Sequence, residues 1–309
     1  MSADPFERSI VPPSHDLGDD FLVRRAMPSA ECRAVGPFVF FDHFGPASFQ
    51  AGAGLDVRPH PHIGLATLTY LFDGEIVHRD SLGYGQIIRP GEINWMIAGS
   101  GIVHSERTAA STRHTSSTLS GIQTWVALPK HEEERPASFT HYGSNELPLI
   151  EGAGRRLRVI AGALYGESAP TAALSAMGYA DAELEAGAEL EYGAEYEQNA
   201  IYVAAGSVEA NGRRFQVPQL LLLRARERVK LKAQAPSRLM LLGGEPLDGP
   251  RHVWWNFVSS SRERIERAKR DWQEGCFGSV SGDANEFIPL PADAVSSVRS
   301  EPAADGTVL

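Results

Sequence analysis

The chain has 309 residues, of which 42% are apolar, 30 are glycine and 20 are proline; that length exceeds one ordinary domain, so two domains rich in short strands and turns are expected. A formal net charge of −10 disfavours direct contact with nucleic-acid phosphates. Two distant cysteines, Cys32 and Cys276, argue against a disulfide framework and fit a reducing cytoplasm, and neither a secretory h-region nor an apolar run of transmembrane length occurs.

In chain order, residues 1–37 read as an arm followed by early strands, with Phe21 and Val23 alternating in "DDFLVRRAMP" before Pro28. "GPFVFFDHFGP" (36–46) is a short apolar run between Gly-Pro pairs and reads as a buried strand or turn segment. From 55 to 128 strands are dense. "ATLTYLF" (66–72) ends at Asp73-Gly74, a hairpin signal, and "EIVHRDS" (75–81) is the expected return strand. "YGQIIRPGEINWMIAG" (84–99) alternates around a Pro90-Gly91 turn, and "GIVHSER" (101–107) and "GIQTWVALP" (121–129) complete a sandwich or barrel. Residues 130–154 are polar and read as an irregular connection. A second strand-rich block follows from 156 to 244, with Asn211-Gly212 as a two-residue hairpin turn. "YLFDGEIVH" and "YVAAGSVEA" share a rhythm that suggests tandem duplication. "SSSRERIERAKRDWQEG" (259–275) predicts a helix capped by Ser260 or Ser261 and stopped at Gly275. Ile265, Ala268 and Trp272 would share its buried face, and Glu263–Arg267 and Glu266–Arg270 would pair. Residues after Pro291 read as loosely ordered.

Nine of the ten histidines lie at or before His141, and the tenth, His252, follows the second block. Only the first domain can therefore hold a histidine-based site. On a strand, residues i and i+2 point to one face about 6.5–7 Å apart. His60 and His62 in "RPHPHIG" share a face in this way, with Pro61 pointing away, and His104 and Glu106 in "GIVHSE" do likewise. A lone His-x-His pair is more often hydrogen-bonded than metal-binding. Two such pairs on facing strands put three imidazoles and a carboxylate around a point, a donor set that suits Fe, Ni, Cu, Mn or Zn. Asp42, His43, His78, Gln123 and Trp125 lie in segments that can supply partners or pocket walls. Met96 is a candidate pocket residue, and Trp95 reads as core.

At these residues the chain resembles the pirin family of the cupin superfamily, most strongly at "HPHIGLATLTYLFDGEIVHRDSLG" (60–83), "IRPGEINWMIAGSGIVHSE" (88–106), "LLGGEP" and "HVWWNFVSSSRERI". The resemblance implies an all-β protein of two tandem cupin jelly rolls with a short C-terminal helix. It implies an N-terminal cupin with the metal site over 1–135, a linker over 136–155, a C-terminal cupin without ligands over 156–258, and a helix and tail over 259–309. It carries the family's ligands to His60, His62, His104 and Glu106, with Fe(II) as the ion. Ala66 stands where many pirins have a glutamate, which leaves Glu106 as the sole acidic ligand.

Some pirins resemble quercetinases, so the resemblance also implies O2-dependent cleavage of a flavonol-like substrate. Four ligands leave two positions of an octahedral ion open, one for the flavonol hydroxyl and one for O2. Glu106 then serves as proton acceptor as well as ligand. The alternative is an iron-dependent, redox-sensing interaction protein that modulates a transcription factor or metabolic enzyme; the acidic balance suits a protein partner. A bicupin pairs two barrels internally, so a monomer is expected.

Overall fold

Alternation of apolar and polar residues produces strands along most of the chain. In Arg228–Ala233, for example, "RVKLKA" exposes every other residue and buries the rest. The computed structural model describes residues 4–16, 21–291 and 307–308. Among these residues the architecture is all-β, with one α-helix and two short 3-10 turns. The contacts divide the chain into two compact units, each built from two segments: residues 1–44 with 142–247, and residues 45–141 with 248–309.

The first unit has one sheet running, in spatial order, Phe6–Ile10, Gln219–Leu223, Gln198–Ala205, Ser237–Gly244, Met177–Leu184, Arg155–Leu164 and Leu149–Gly152. The facing sheet is Glu189–Gly193, Arg228–Ala233, Ser207–Ala210 and Arg213–Gln216. Between them lies a core that includes Leu157, Leu190, Ile201, Val208, Phe215, Leu231 and Leu241. Phe6–Ile10 pairs antiparallel with Gln219–Leu223, which is why the first residues belong with the second strand-rich block rather than with the strands that follow them. Asn211-Gly212 turns as the sequence predicts. Both residues have positive φ (51° and 71°), the type I′ geometry, and Ser207–Ala210 pairs with Arg213–Gln216 across it.

In the second unit, Ile93–Ile97, Leu65–Asp73 and Ser117–Ala127 form one sheet. Asp56–His62, Ile102–Arg107, Ile76–Asp80 and Gly85–Ile88 form the other, in that order. Two sequence expectations need correction here. Gly74 does turn, with φ +83°, but Leu65–Asp73 and Ile76–Asp80 lie in different sheets and are not a hairpin. The turn carries the chain across the sandwich, and Gly206 (φ +73°) does the same between Gln198–Ala205 and Ser207–Ala210. Residues 130–154 are also not wholly irregular. Ser138–Tyr142 joins the sheet beside Ile93–Ile97, and Leu149–Gly152 pairs with Arg155–Leu164.

The helix spans Arg262–Gln273, and the Ser261 hydroxyl accepts from Arg264 N–H at its start. Ile265, Ala268 and Trp272 pack with Ile63, Val103, Phe257 and Val280, as the periodicity predicts. The expected charge pairs are replaced: Glu266 meets Lys269, and Arg267 meets Glu134 and Asp271. The tail reading falls on residues 292–306, outside the described residues. Thr307–Val308 forms a short strand against His252–Trp254. No helix among the described residues is long and apolar enough to cross a membrane.

Candidate metal centre

His60 and His62 end the Asp56–His62 strand, and His104 opposes His60 on Ile102–Arg107. Asp56–His62 is the edge strand of its sheet, so Pro61 lacks no internal ladder partner. The register between the two strands shifts between His104 and Glu106: Glu106 opposes Val57, so Arg58 and Pro59 together face Ser105. This bulge absorbs Pro59 and re-aims the strand just before the two histidines. Val103, adjacent to His104, packs under the helix on the opposite face.

His60, His62 and His104 are buried, at 7%, 1% and 1% exposure, and their nearest ligand nitrogens all lie within 4.8 Å of one another. The ring centroids are 4.4–5.0 Å apart. Backbone carbonyls set the tautomers of two of the rings. His60 Nδ1 donates to Arg58 O at 2.9 Å, and His62 Nδ1 donates to Asn256 O at 3.2 Å. Both rings therefore present a bare Nε2 when neutral. Burial pushes His60 down to about 4, and burial together with the neighbouring histidines pushes His62 and His104 well below the usual range. Neutral imidazoles are the form that binds metal.

His62 Nε2 lies 3.1 Å from His104 Nε2. Nitrogens each about 2.1 Å from a shared ion stand about 3 Å apart when they subtend a right angle, so the spacing fits a metal. The three histidines could therefore hold an ion. Trp125 presents its ring to His62 edge-on, with centroids 5.1 Å apart, and walls one side of the cluster.

Glu106 stands beside the cluster, and its carboxylate is not among the three converging groups. Its Oε1 accepts from Thr69 Oγ1 at 3.1 Å, and Thr69 Oγ1 also lies 2.8 Å from Gln123 Oε1. A hydroxyl has one proton. Turning the Gln123 amide to offer Nε2–H lets Thr69 accept from Gln123 while donating to Glu106. Burial raises the Glu106 pKa, opposed by His78 and by the Thr69 hydrogen bond.

The other candidate partners separate. Asp42 forms a two-pronged ion pair with Arg25, and His43 Nδ1 lies 3.0 Å from Tyr202 Oη; both belong to the other unit. His78, by contrast, touches the cluster: its Nδ1 is 3.4 Å from His104 Nδ1 and its Nε2 is 2.9 Å from Asp80 Oδ2. Residues 78 and 80 repeat the i,i+2 spacing of the two other pairs, so the pattern that finds His60 and His62 also marks this pair. The Asn256 carbonyl has no such signal, because any residue supplies one.

The profile described as Pirin matches residues 20–126, and the one described as Pirin C-terminal cupin domain matches residues 179–278. A pirin-like protein of Caulobacter vibrioides is 50% identical over 279 residues, covering 89% of this chain and 96% of that protein. Two crystal structures of quercetin 2,3-dioxygenase from Acinetobacter baumannii superpose with TM-scores of 0.85 and 0.82, at 30% and 27% identity. The first covers 93% of this chain and 95% of its own, the second 89% and 98%. The expected pair of cupin domains with a single short helix is thereby borne out, and the chain belongs to the pirin family.

Proposed function

We propose that this chain is a mononuclear iron(II) protein that cleaves a flavonol-like small molecule with O2, in the manner of quercetin 2,3-dioxygenase. The observation that carries the reading is the convergence of the buried His60, His62 and His104, with two Nε2 atoms 3.1 Å apart. The name carried by the Acinetobacter structures supports the choice of reaction.

In this reading His60, His62, His104 and Glu106 hold the ion. When bound, the metal acidifies the substrate hydroxyl and brings electron-transfer chemistry to the site. The chain's own residues do the rest. Glu106 receives the hydroxyl proton on its carboxylate, whose proton affinity burial raises, while Thr69 holds Oε1 in place. Arg58 O and Asn256 O keep the Nδ1 protons of His60 and His62 away from the ligand face. Trp125 limits water at His62.

The test is anaerobic reconstitution with iron(II), followed by quercetin and O2. O2 consumption with release of carbon monoxide is expected. His62→Ala should lose the metal while keeping the fold. Iron-loaded protein that consumes no O2 and releases no carbon monoxide refutes the reaction, and wild-type protein that holds no more metal than His62→Ala refutes the site.

A further inference from the structure

We propose that Asp80 and His78 are positioning residues that set the tautomer of His104, so that His104 Nε2 faces the metal centre as a lone pair. This rests on the reading that His60, His62 and His104 hold a metal.

The strand register puts the participants on one face. Ile102–Arg107 pairs with Ile76–Asp80 so that His104 opposes Asp80 and Glu106 opposes His78. Directly opposed residues of an antiparallel pair point the same way, as do residues i and i+2 of a strand. His78, Asp80, His104 and Glu106 therefore share a side by construction.

Asp80 is fully buried, at 0% exposure, and its acceptors are in use. Oδ1 accepts from the backbone N–H groups of Leu82 at 2.9 Å and Tyr84 at 3.1 Å, which fixes the carboxylate's orientation. Oδ2 then faces His78 Nε2 at 2.9 Å. A carboxylate that receives two N–H donors is an acceptor in the third contact as well, so His78 Nε2 carries the proton. The Phe139 ring stacks on His78 with centroids 4.3 Å apart and planes 10° apart, which holds the plane of the imidazole, and the contact with Asp80 selects which edge faces the carboxylate.

With its one proton on Nε2, a neutral His78 offers a lone pair at Nδ1 to His104 Nδ1, 3.4 Å away. His104 can then donate from Nδ1 to that lone pair and turn a bare Nε2 towards the bare Nε2 of His62, 3.1 Å away, a pair of facing lone pairs that a cation between them stabilises. The reversed arrangement would aim the His78 lone pair at the Asp80 carboxylate and place a proton on the ligand nitrogen of His104. His60 and His62 have the same tautomer set by carbonyls of the main chain. Among the described residues no such carbonyl meets His104, and the side-chain pair stands in for it.

Asp80→Asn tests this with little change of shape. Its Oδ1 keeps the two backbone bonds while Nδ2–H faces His78 Nε2. His78 must then carry its proton on Nδ1, donate to His104 Nδ1, and leave a proton on His104 Nε2. Two measurements are made on wild type, Asp80→Asn and His62→Ala. The first is the 15N shift pattern of labelled histidines in the metal-free protein. It should report Nε2–H for His78 in wild type and Nδ1–H for His78 in Asp80→Asn. The second is Ni(II) affinity by chelator competition, which should fall roughly ten- to a hundredfold in Asp80→Asn. Wild-type shifts showing His78 protonated at Nδ1 overturn the proposal without any variant. Unchanged Ni(II) affinity in a folded Asp80→Asn overturns it too. If wild type and His62→Ala bind Ni(II) equally poorly, the metal site itself fails, while the shift pattern still decides the relay.

Discussion

Glu133→Ala should cost about 3–5 kcal/mol, the price of uncovering a buried charge. Arg251 is completely buried, at 0% exposure, and its Nε lies 2.7 Å from Glu133 Oε1. That contact is electrostatic, because Nε has no aligned hydrogen bond. The remaining guanidinium protons go to Leu128 O at 2.8 Å, Gly249 O at 2.9 Å and the Asp248 carboxylate. Glu133 also accepts from Ser260 N and Oγ, both at 2.9 Å, and from Ser259 Oγ at 3.1 Å. Among the described residues, removing Glu133 leaves the guanidinium with Asp248 as its one close carboxylate, and Asp248 is 45% exposed and therefore screened. Urea unfolding should show the loss in full, and the melting temperature should fall by roughly 10 °C. Glu133→Leu with Arg251→Met should recover most of the stability, because it removes both charges together. The same ion pair anchors the segment that carries Asn256, whose carbonyl orients His62. Ni(II) binding should therefore weaken in Glu133→Ala as well. A loss below about 1 kcal/mol, or a double variant no better than the single, refutes this account.

Gly64 has φ +67°, and a Cβ there would meet Val258 O at 1.9 Å, so Gly64→Ala should destabilise by at least about 2 kcal/mol in urea unfolding. His43 is buried, and its pKa is pushed down to about 4 by burial, with Arg24 and Arg238 adding to the effect. The unfolded chain takes up that proton first, so stability should fall as pH drops from about 6.5 to about 4, by roughly 3 kcal/mol in total. His43→Phe should flatten that part of the profile, and an identical slope in the two proteins would remove His43 as its source. Burial raises the Cys32 thiol to about 12, whereas Cys276 is exposed. Iodoacetamide at pH 8 should label Cys276 alone in the folded protein, read by peptide mass spectrometry, and equal labelling of Cys32 would contradict the burial argument.

Much of this was local and so was legible in one dimension. The alternation in Arg228–Ala233, the Asn211-Gly212 turn and the Ser261 cap each follow from a few neighbouring residues and their backbone preferences. The spacing of His60 and His62 is of the same kind, because a strand's period of two puts them on one face whatever else the chain does. The failures have a common cause as well. Asp73-Gly74 has the chemistry of a hairpin turn, but whether the next strand pairs back or crosses to the other sheet depends on partners far along the chain. Ser138–Tyr142 looks irregular because its strand character comes from pairing within a sheet and not from its own composition. On the helix, Arg267 is shared between the remote Glu134 and the local Asp271, while Glu266 takes Lys269 one turn away, a choice among neighbours that spacing alone leaves open.

The sequence by itself determined that strands would form, where tight turns would fall, and that two i,i+2 pairs would offer imidazole and carboxylate from one face each. Only the tertiary structure decided that the strands bearing them are neighbours, that a bulge at Arg58 and Pro59 aims His60, and that His78, Phe139 and the Asn256 carbonyl orient the rings. A side chain's direction is fixed by local backbone geometry, whereas the proton on a histidine nitrogen is fixed by whichever distant group packs against it.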